Sequence, residues 1–388
     1  MTAGFDRRSL LAGSLLGAGS LALPRLAFAQ GTGSRNLLFV LLRGAADGMA
    51  MLAPVGDPGF ETLRGATLAD YENAPRLGSF FAVHPALAEI AKSAAAGEAL
   101  FVHAAATAYR ERSHFDGQNL LESGGTAPYA TKDGWLNRLT GLMNERAPAP
   151  LRALAIASAV PLALRGNAPV SNYAPSALPQ ASEDLLARVS LLYGADGELG
   201  PLWARALETR AMAADDGLTN LRDASAAGEL AASLMRGAGG ARIGMIELGG
   251  WDTHANQRGA FARSARQLDA LLAAYRTGMG AGWADTMVVV ATEFGRTARL
   301  NGTGGTDHGT ASAALVMGGA VRGGRVIADW PGLMDSKLYE GRDLAPTTAL
   351  ESVIAGAVAE HLQLDPKLAI ARLFPGRSDA PLAGIIRA

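Results

Sequence analysis

Two short stretches of the chain combine carboxylates with imidazoles at spacings that suit a metal ion. The first is Gly249-Gly250-Trp251-Asp252-Thr253-His254, in which Asp252 and His254 are two residues apart. In extended backbone, side chains at this spacing point to the same side. They could therefore bind one divalent cation as a pair. The alternative interpretation is a histidine hydrogen-bonded to a capping aspartate.

The second stretch lies within residues 286–309 and holds four polar residues of interest: Glu293, Arg296, Asp307 and His308. It opens with an apolar run that is typical of a strand buried on both faces. In open α/β sheets, ligands bind beyond the carboxyl ends of the strands. Glu293, Asp307 and His308 are therefore predicted metal ligands. A structural Glu293–Arg296 ion pair, with Asp307 capping a turn, explains the same residues about equally well.

A third candidate follows the first buried strand, which is predicted over Asn36–Leu42. That strand leads through Arg43 to Asp47 and Gly48. A hydrophobic first strand that delivers an aspartate into a glycine-flanked turn opens many metal-dependent α/β hydrolases. Asp47 is therefore a predicted metal ligand. A simple Asp-Gly turn is the alternative.

A hydroxyl suited to nucleophilic chemistry occurs at Ser113, at the predicted start of a helix. Ser113 resembles a helix N-cap, with Asp116 as its capping-box partner. The same position, flanked by Arg110 and Arg112, also suits an anionic substrate or a nucleophile.

These residues require a scaffold in which strands alternate with helices, and the apolar patterning predicts one. Further strands are expected at 99–104, 153–157, 242–248, 311–317 and 325–328. Helices are expected at 85–95, 134–143, 182–235 with breaks, 257–278 and 345–362. This order indicates a three-layer α/β/α fold with a mostly parallel sheet and helices on both faces.

Three remaining segments carry weaker expectations. Residues 54–80 are interpreted as irregular, and residues 161–179 as a long polar loop that forms a lid or insertion. His361 falls late in the last predicted helix and is expected at the surface.

The composition excludes several classes of protein. The chain has no cysteine, which excludes thiolate metal sites, disulfides and a cysteine nucleophile. A metal must therefore be held by His, Asp, Glu or hydroxyl ligands. A net charge of −1 provides no basic field for nucleic acid. The lack of a Gly-x-Ser-x-Gly motif disfavours a metal-free serine hydrolase.

Residues 1–29 are predicted to be a twin-arginine export signal. They contain the pair Arg7-Arg8, an apolar stretch, and a small-x-small cleavage site that ends at Ala29. The apolar stretch is short for a bilayer span, so we expect cleavage and no stable membrane anchor. The expected partner during export is the twin-arginine translocase, and the expected location is the periplasm or the medium. Residues 30–388 are predicted to form one domain.

A resemblance to a known family rests on five segments: 43–48, 112–115, 249–254, 292–297 and 305–309. Together they resemble the twin-arginine-exported domain-of-unknown-function family 1501, over nearly the whole mature chain. That family is similar to the alkaline phosphatase and sulfatase superfamily. The resemblance implies an alkaline-phosphatase-like fold in which divalent metals lie beside a hydroxyl or formylglycine nucleophile.

The resemblance also implies roles for individual residues. Asp47 matches a metal-binding Asp, while Asp252, His254 and His308 match the ligands of one metal. Ser113 lies at about the nucleophile's place, and His114 competes with it because the register is uncertain by one residue. Either Glu293-Phe294 or Asp307-His308 falls where the superfamily has an Asp-His pair; Glu293 can ligate a metal, whereas Phe294 cannot.

The expected function is that of an exported, metal-dependent hydrolase of a phosphate or sulfate ester. Its metal would be zinc, manganese or calcium. Arg43, Arg112 or Arg296 is predicted to bind the anion as a bidentate fork. The substrate would be a small anionic ester or a surface polysaccharide. The alternative is a catalytically degenerate periplasmic protein that binds a polymer or a partner on the same fold.

Overall fold

The structure is a computed structural model that describes residues 35–146, 152–175, 182–213 and 223–387. The predicted export signal lies outside the described residues. The chain from Gly33 to Ala388 clusters as one compact unit.

The described strands and helices alternate along much of the chain. The strands are β1 Asn36–Leu42, β2 Leu52–Ala53, β3 Arg76–Leu77, β4 Phe81–Val83, β5 Ala99–Ala106, β6 Ala153–Ile156, β7 Val170–Tyr173, β8 Ile243–Leu248, β9 Thr286–Thr292, β10 Ser312–Gly318, β11 Arg325–Ile327 and β12 Thr348–Ala349. The α-helices are α1 Gly48–Met51, α2 Pro58–Leu68, α3 Ala88–Ala95, α4 His114–Ser123, α5 Trp135–Asn144, α6 Glu183–Tyr193, α7 Leu199–Ala213, α8 Ala224–Met235, α9 Gln257–Met279, α10 Leu350–Leu362 and α11 Pro366–Leu373.

Nine of these strands form a central sheet in the order β11-β5-β10-β9-β1-β8-β6-β7, with β12 also paired to β5. β1 is parallel to both β8 and β9, and β6 is parallel to β7 and β8. β10 is antiparallel to its neighbours β5 and β9. The predicted mixed α/β fold with a mostly parallel sheet is therefore confirmed. Strands β2, β4 and β3 form a separate small antiparallel sheet.

The register of the central strands brings their ends to one edge of the sheet. Leu42 pairs with Leu248 of β8 and with Thr292 of β9, so these three strands end level. Ser312, the first residue of β10, pairs with Ala105 near the end of β5. Since β10 is antiparallel, the chain segment that precedes it meets the segments that follow β1, β5, β8 and β9.

The sheet has a hydrophobic core on each face, because alternate residues of each strand point to opposite sides. Leu38, Val40 and Leu42 belong to the core that contains residues of α3, α8 and α9. Leu37, Phe39 and Leu41 belong to the core that contains residues of α5, α10 and α11. Helices therefore cover both faces. Among the described residues, no helix combines the length and apolar character that crossing a bilayer requires.

Three expectations about local structure were wrong. Residues 54–80 contain α2, whose N-cap Asp57 accepts a hydrogen bond from the N–H of Gly59. The predicted polar loop contributes β7, which extends the sheet by pairing with β6. His361 is 1% exposed, because α10 is covered on nearly every side.

Candidate metal centre

Five chain segments meet at the level edge of the sheet, and small residues allow their close approach. Gly44 follows β1 at a φ of +113°, and a Cβ there would lie 2.6 Å from the backbone nitrogen of Asp252. A Cβ on Gly305 would lie 2.0 Å from the carbonyl oxygen of His254. These contacts exclude larger residues and bring the turns after β1 and β8, and the loop before β10, into one site.

Three histidines and one aspartate converge at this site. The Nε2 atom of His308 lies 2.9 Å from Nε2 of His114 and 3.0 Å from Nε2 of His254. Oδ1 of Asp252 lies 2.9 Å from Nε2 of His254 and 3.3 Å from Nε2 of His308. Ligand atoms of His114, Asp252 and His308 all lie within 4.8 Å of one another. These three residues form a group that could hold a metal ion, with His254 beside them.

Each imidazole in the cluster has an oxygen acceptor at its Nδ1 atom. Nδ1 of His114 lies 2.8 Å from the Glu293 carboxylate, and Nδ1 of His254 lies 3.2 Å from the Asp307 carboxylate. Nδ1 of His308 lies 2.9 Å from the carbonyl oxygen of Arg112. Each of these oxygens can accept a hydrogen bond from an Nδ1–H group, and in that tautomer the lone pair on Nε2 is directed into the cluster. Oxygen acceptors behind ligating histidines are the usual outer shell of a metal site, so the donor set fits a metal.

The site is closed on one side and open on the other. The ring of Phe294 stacks on that of His114 with a centroid separation of 5.0 Å, and Phe294 is 2% exposed. The side chains of Asp252 and His254 are 43% and 48% exposed. A ligand can therefore reach the cluster from the side of Asp252 and His254, while Phe294 forms its apolar base.

Glu293 lies in a fully buried position. Burial raises the pKa of this carboxyl, but hydrogen bonds from His114, Gln118 and the Gly44 N–H outweigh that effect and lower it. The pKa of His114 is raised, chiefly by its hydrogen bond to Glu293. The pKa of His308 is lowered chiefly by burial, and also by the positive charge of Arg296. The two imidazoles thus have different proton affinities.

Arg296 fixes the position of the aspartate in the cluster. Its Nη1 atom donates to Oδ1 of Asp252 at 2.6 Å, and its other nitrogens bond Thr306. Burial alone would raise the pKa of Asp252, but the hydrogen bond and charge of Arg296 lower it. Asp252 is therefore a carboxylate with a fixed orientation.

Arg112 contributes its backbone to the site. Its φ of +61° is unusual for a residue with a side chain and costs roughly 1–2 kcal/mol. Ion pairs from its guanidinium to Asp343 and Glu340 anchor the residue. The carbonyl oxygen of Arg112 lies within hydrogen-bonding distance of Nδ1 of His308. The strained backbone at Arg112 therefore orients one candidate ligand.

The three arginines predicted to bind an anion instead have carboxylate partners. Arg43 contacts Glu122 and Glu247 at 2.7 and 2.6 Å. Arg112 and Arg296 form the ion pairs described above. The sequence shows where these charges lie along the chain but does not show their partners. In the structure the three guanidinium groups pair with carboxylates and hold the residues around the site in place.

The predicted metal ligand Asp47 lies outside the cluster, which corrects its assigned role. It is 1% exposed, and Oδ1 accepts from the N–H groups of Met49 and Ala50 as the N-cap of α1. Oδ2 accepts from Arg64 at 2.7 Å and from Gln257 at 2.6 Å. With four donors, this carboxylate has no free lone pair aimed at a cation.

The other predicted ligands separate into two groups. Asp252, His254 and His308 meet in the cluster as predicted. Glu293 and Asp307 contact the cluster from outside, as hydrogen-bond acceptors for His114 and His254 respectively. His114, named as an alternative nucleophile, lies at a ligand position.

Ser113 occupies the N-cap position of α4, but its side chain caps none of the N–H groups described in that helix. Its own N–H donates to the hydroxyl of Tyr109 at 3.2 Å. Asp116 accepts from Tyr109 at 3.2 Å instead of completing a capping box. Ser113 lies between two residues of the site, the Arg112 carbonyl and His114.

Sequence reasoning missed Gln118, which organises the site, and Arg64, which pairs with Asp47 outside it. Gln118 donates to Glu293 at 2.9 Å and accepts from Arg43 at 2.5 Å. Gln118 follows His114 by four residues in α4, and this helical spacing is a signal that could have found it. Arg64 lies in a segment interpreted as irregular, and no local pattern marks it.

Comparison with known proteins adds a family. The family model described as a protein of unknown function (DUF1501) matches residues 34–367. No match was found among curated proteins.

Proposed function

The chain belongs to the DUF1501 family, and we propose that it is a metal-dependent hydrolase of phosphate or sulfate esters. His114, Asp252 and His308 would hold one divalent cation, with His254 beside them. The observation that carries this proposal is the convergence of three Nε2 atoms whose Nδ1 atoms face oxygens. Uncharged imidazoles in this tautomer turn lone pairs toward each other, and a cation removes that repulsion.

The donor set favours zinc among the metals considered. Two nitrogens bound to one tetrahedral zinc are roughly 3.3 Å apart, and the Nε2 atoms of His114 and His308 are 2.9 Å apart. Imidazole suits zinc, whereas calcium prefers six to eight oxygen ligands. Manganese is the next candidate.

A divalent metal bound here would supply Lewis acidity to an ester oxygen and would lower the pKa of a hydroxyl or water nucleophile. The chain itself contributes orientation and shielding. Glu293, Asp307 and the Arg112 carbonyl hold the three imidazoles, and Arg296 holds Asp252. Phe294 keeps water from one side of the cluster. Ser113 is the nucleophile we favour, because its hydroxyl is not used as a helix cap.

We place the protein near the alkaline phosphatase and sulfatase superfamily, with one metal instead of two. The support is a mostly parallel sheet with carboxylates and imidazoles beyond its strand ends. Asp47 is ion-paired with Arg64, and Glu293 is hydrogen-bonded to His114. Phe294 has no atom that can ligate a metal. These three positions would supply a second metal in that superfamily.

We also propose export by the twin-arginine translocase and a periplasmic or secreted location. The support is the Arg7-Arg8 pair, the apolar stretch and the cleavage site at Ala29.

The test begins with metal content. Protein purified without chelators is expected to carry about one equivalent of zinc by elemental analysis. His308→Ala and Asp252→Ala should each lose it, because each removes a donor atom from the cluster. His361→Gln, which changes a buried histidine on α10, is the matched control and should retain the metal.

Turnover is then measured on a panel of aryl phosphates and sulfates. Ser113→Ala should keep the zinc and lose turnover, whereas Ser113→Thr should retain part of it. Zinc-free wild-type protein that takes up no ion on titration would contradict the proposal. Zinc binding without any turnover would favour the degenerate binding protein.

A second prediction concerns the carboxylate behind His114. Glu293→Gln should weaken zinc binding about 10- to 100-fold, because a neutral amide makes the His114 ring less basic. Competition with a fluorescent zinc chelator measures the affinity. Glu89→Gln, at an exposed pair with Lys92, is the control. Equal affinities for the two variants would remove Glu293 from the metal's outer shell.

A further inference from the structure

A cavity of about 230 Å³ adjoins the metal cluster. Asp307 belongs to both: its side chain lines the cavity, and its Oδ1 atom faces Nδ1 of His254 at 3.2 Å. Thr297, another lining residue, accepts the backbone N–H of Asp307 at 3.1 Å. Asp307 therefore links the cavity to His254.

Polar groups of both signs line the cavity in equal number. Arg299 and Arg342 supply guanidinium donors, and Asp307 and Asp335 supply carboxylate acceptors. Arg299 is 3.9 Å from Asp335, and both side chains are exposed. Arg342 donates to the His308 carbonyl at 2.7 Å, and its Nη1 atom lies 3.7 Å from Asp343. These long ion pairs leave hydrogen-bonding capacity for a ligand.

The remaining lining includes the apolar residues Leu63, Leu300 and Leu338. A cavity with this combination disfavours two kinds of occupant. A second anion would gain nothing from lining groups whose charges cancel, and a wholly apolar group would leave polar atoms without partners. A hydroxylated ring satisfies both requirements, since each hydroxyl donates and accepts while the C–H face packs on leucine.

We propose that this cavity binds the sugar ring of the substrate, so that the enzyme acts on a sugar phosphate or sugar sulfate. The inference rests on the proposed function, because it assumes that the ester group is held at the metal cluster. The cavity is smaller than the roughly 300–1,000 Å³ of drug-sized sites, which matches a single ring. Arg299 and Leu300 are then specificity-determining residues.

The test compares two ligands that cannot be hydrolysed. Glucose 6-phosphonate carries the ring and methylphosphonate lacks it. Both are titrated calorimetrically into the zinc-loaded full chain, and the corresponding sulfonates are run in parallel. The ring-bearing ligand is expected to bind at least tenfold more tightly.

Two variants assign that gain to the cavity. Arg299→Gln removes a charged donor and should weaken binding of glucose 6-phosphonate about tenfold. Leu300→Trp should fill the cavity and abolish the gain. Both should leave the affinity for methylphosphonate unchanged. Arg236→Gln, an exposed arginine before β8, is the matched control.

The failure of this inference differs from failure of the proposed function. If the two phosphonates bind equally, or if both cavity variants behave like Arg236→Gln, the sugar subsite is refuted and the metal hydrolase stands. If neither the phosphonates nor the sulfonates bind the zinc-loaded chain, the proposed function falls and this inference falls with it.

Discussion

Replacing Arg64 with methionine is expected to lower the free energy of unfolding by about 3–5 kcal/mol. Arg64 and Asp47 are both 1% exposed and form an ion pair at 2.7 Å. The guanidinium also donates to the carbonyl oxygens of Ala298 and Thr297 at 2.6 and 2.7 Å. Removing the cation leaves a buried carboxylate without its counter-charge and two carbonyl groups without donors.

Urea denaturation followed by circular dichroism measures this loss. Arg258→Met is the matched control, because Arg258 pairs with Asp70 while its own side chain is 63% exposed. An exposed pair contributes about 0–1 kcal/mol. The double variant Asp47→Asn/Arg64→Met should cost less than the sum of its single changes, since no unpaired charge remains. Equal losses for Arg64→Met and Arg258→Met would contradict the prediction.

Acid is expected to unfold the protein between pH 6.5 and 4, with a loss of stability of roughly 10 kcal/mol. Burial lowers the pKa of His84, His103 and His361 to about 4 each. An unfolded histidine has a pKa of about 6.5. Above pH 6.5 all three are neutral in both states and cost nothing. As the pH falls, these histidines are protonated in the unfolded chain before they are protonated in the folded chain. Each therefore lowers the free energy of unfolding by about 3 kcal/mol by pH 4.

Hydrogen bonds explain why protonation is disfavoured. Nδ1 of His103 accepts the N–H of Ala104 at 2.8 Å, and Nδ1 of His84 accepts the N–H of Ala86 at 3.1 Å. A second ring proton would point at these N–H groups. Nε2 of His361 lies 2.9 Å from the Asn36 carbonyl, and the positive charge of Arg35 adds to burial in disfavouring protonation of this ring.

Urea midpoints measured every half pH unit in the presence of a chelator test this expectation. The free energy of unfolding should fall by about 4 kcal/mol per pH unit between pH 6 and 5. His361→Gln should remove about one third of that slope. Stability that stays constant from pH 7 to 4.5, or an unchanged slope in His361→Gln, would show that burial does not keep these rings neutral.

The scaffold was largely predictable from sequence because its central strands have apolar interiors. Every residue of β1 and of β9 is buried, so an unbroken apolar run was a reliable sign of a central strand. β7 was missed because an edge strand with the sequence VSNY is only partly buried. α2 was missed in a segment rich in turn residues.

The candidate site was predictable in its location but only partly in its roles. Asp252, His254 and His308 were found because strand ends meet at one edge. Glu293 and Asp47 are carboxylates, like Asp252, so the sequence alone cannot tell them from metal ligands. Their actual roles depend on partners far along the chain. The hydrogen bond between His114 and Glu293 joins residues 179 apart in the sequence, and the one between Gln257 and Asp47 joins residues 210 apart. Local pattern carries no information about such pairs.

The distance along the chain between the imidazoles has a kinetic consequence. His114 and His308 are 194 residues apart and touch at Nε2. Loop closure over such separations comes late, because its entropy cost precedes the contacts that offset it. An ion bound by both rings cannot guide early collapse. Such an ion, if bound as proposed, would act on the finished fold, where it would slow unfolding without hastening folding.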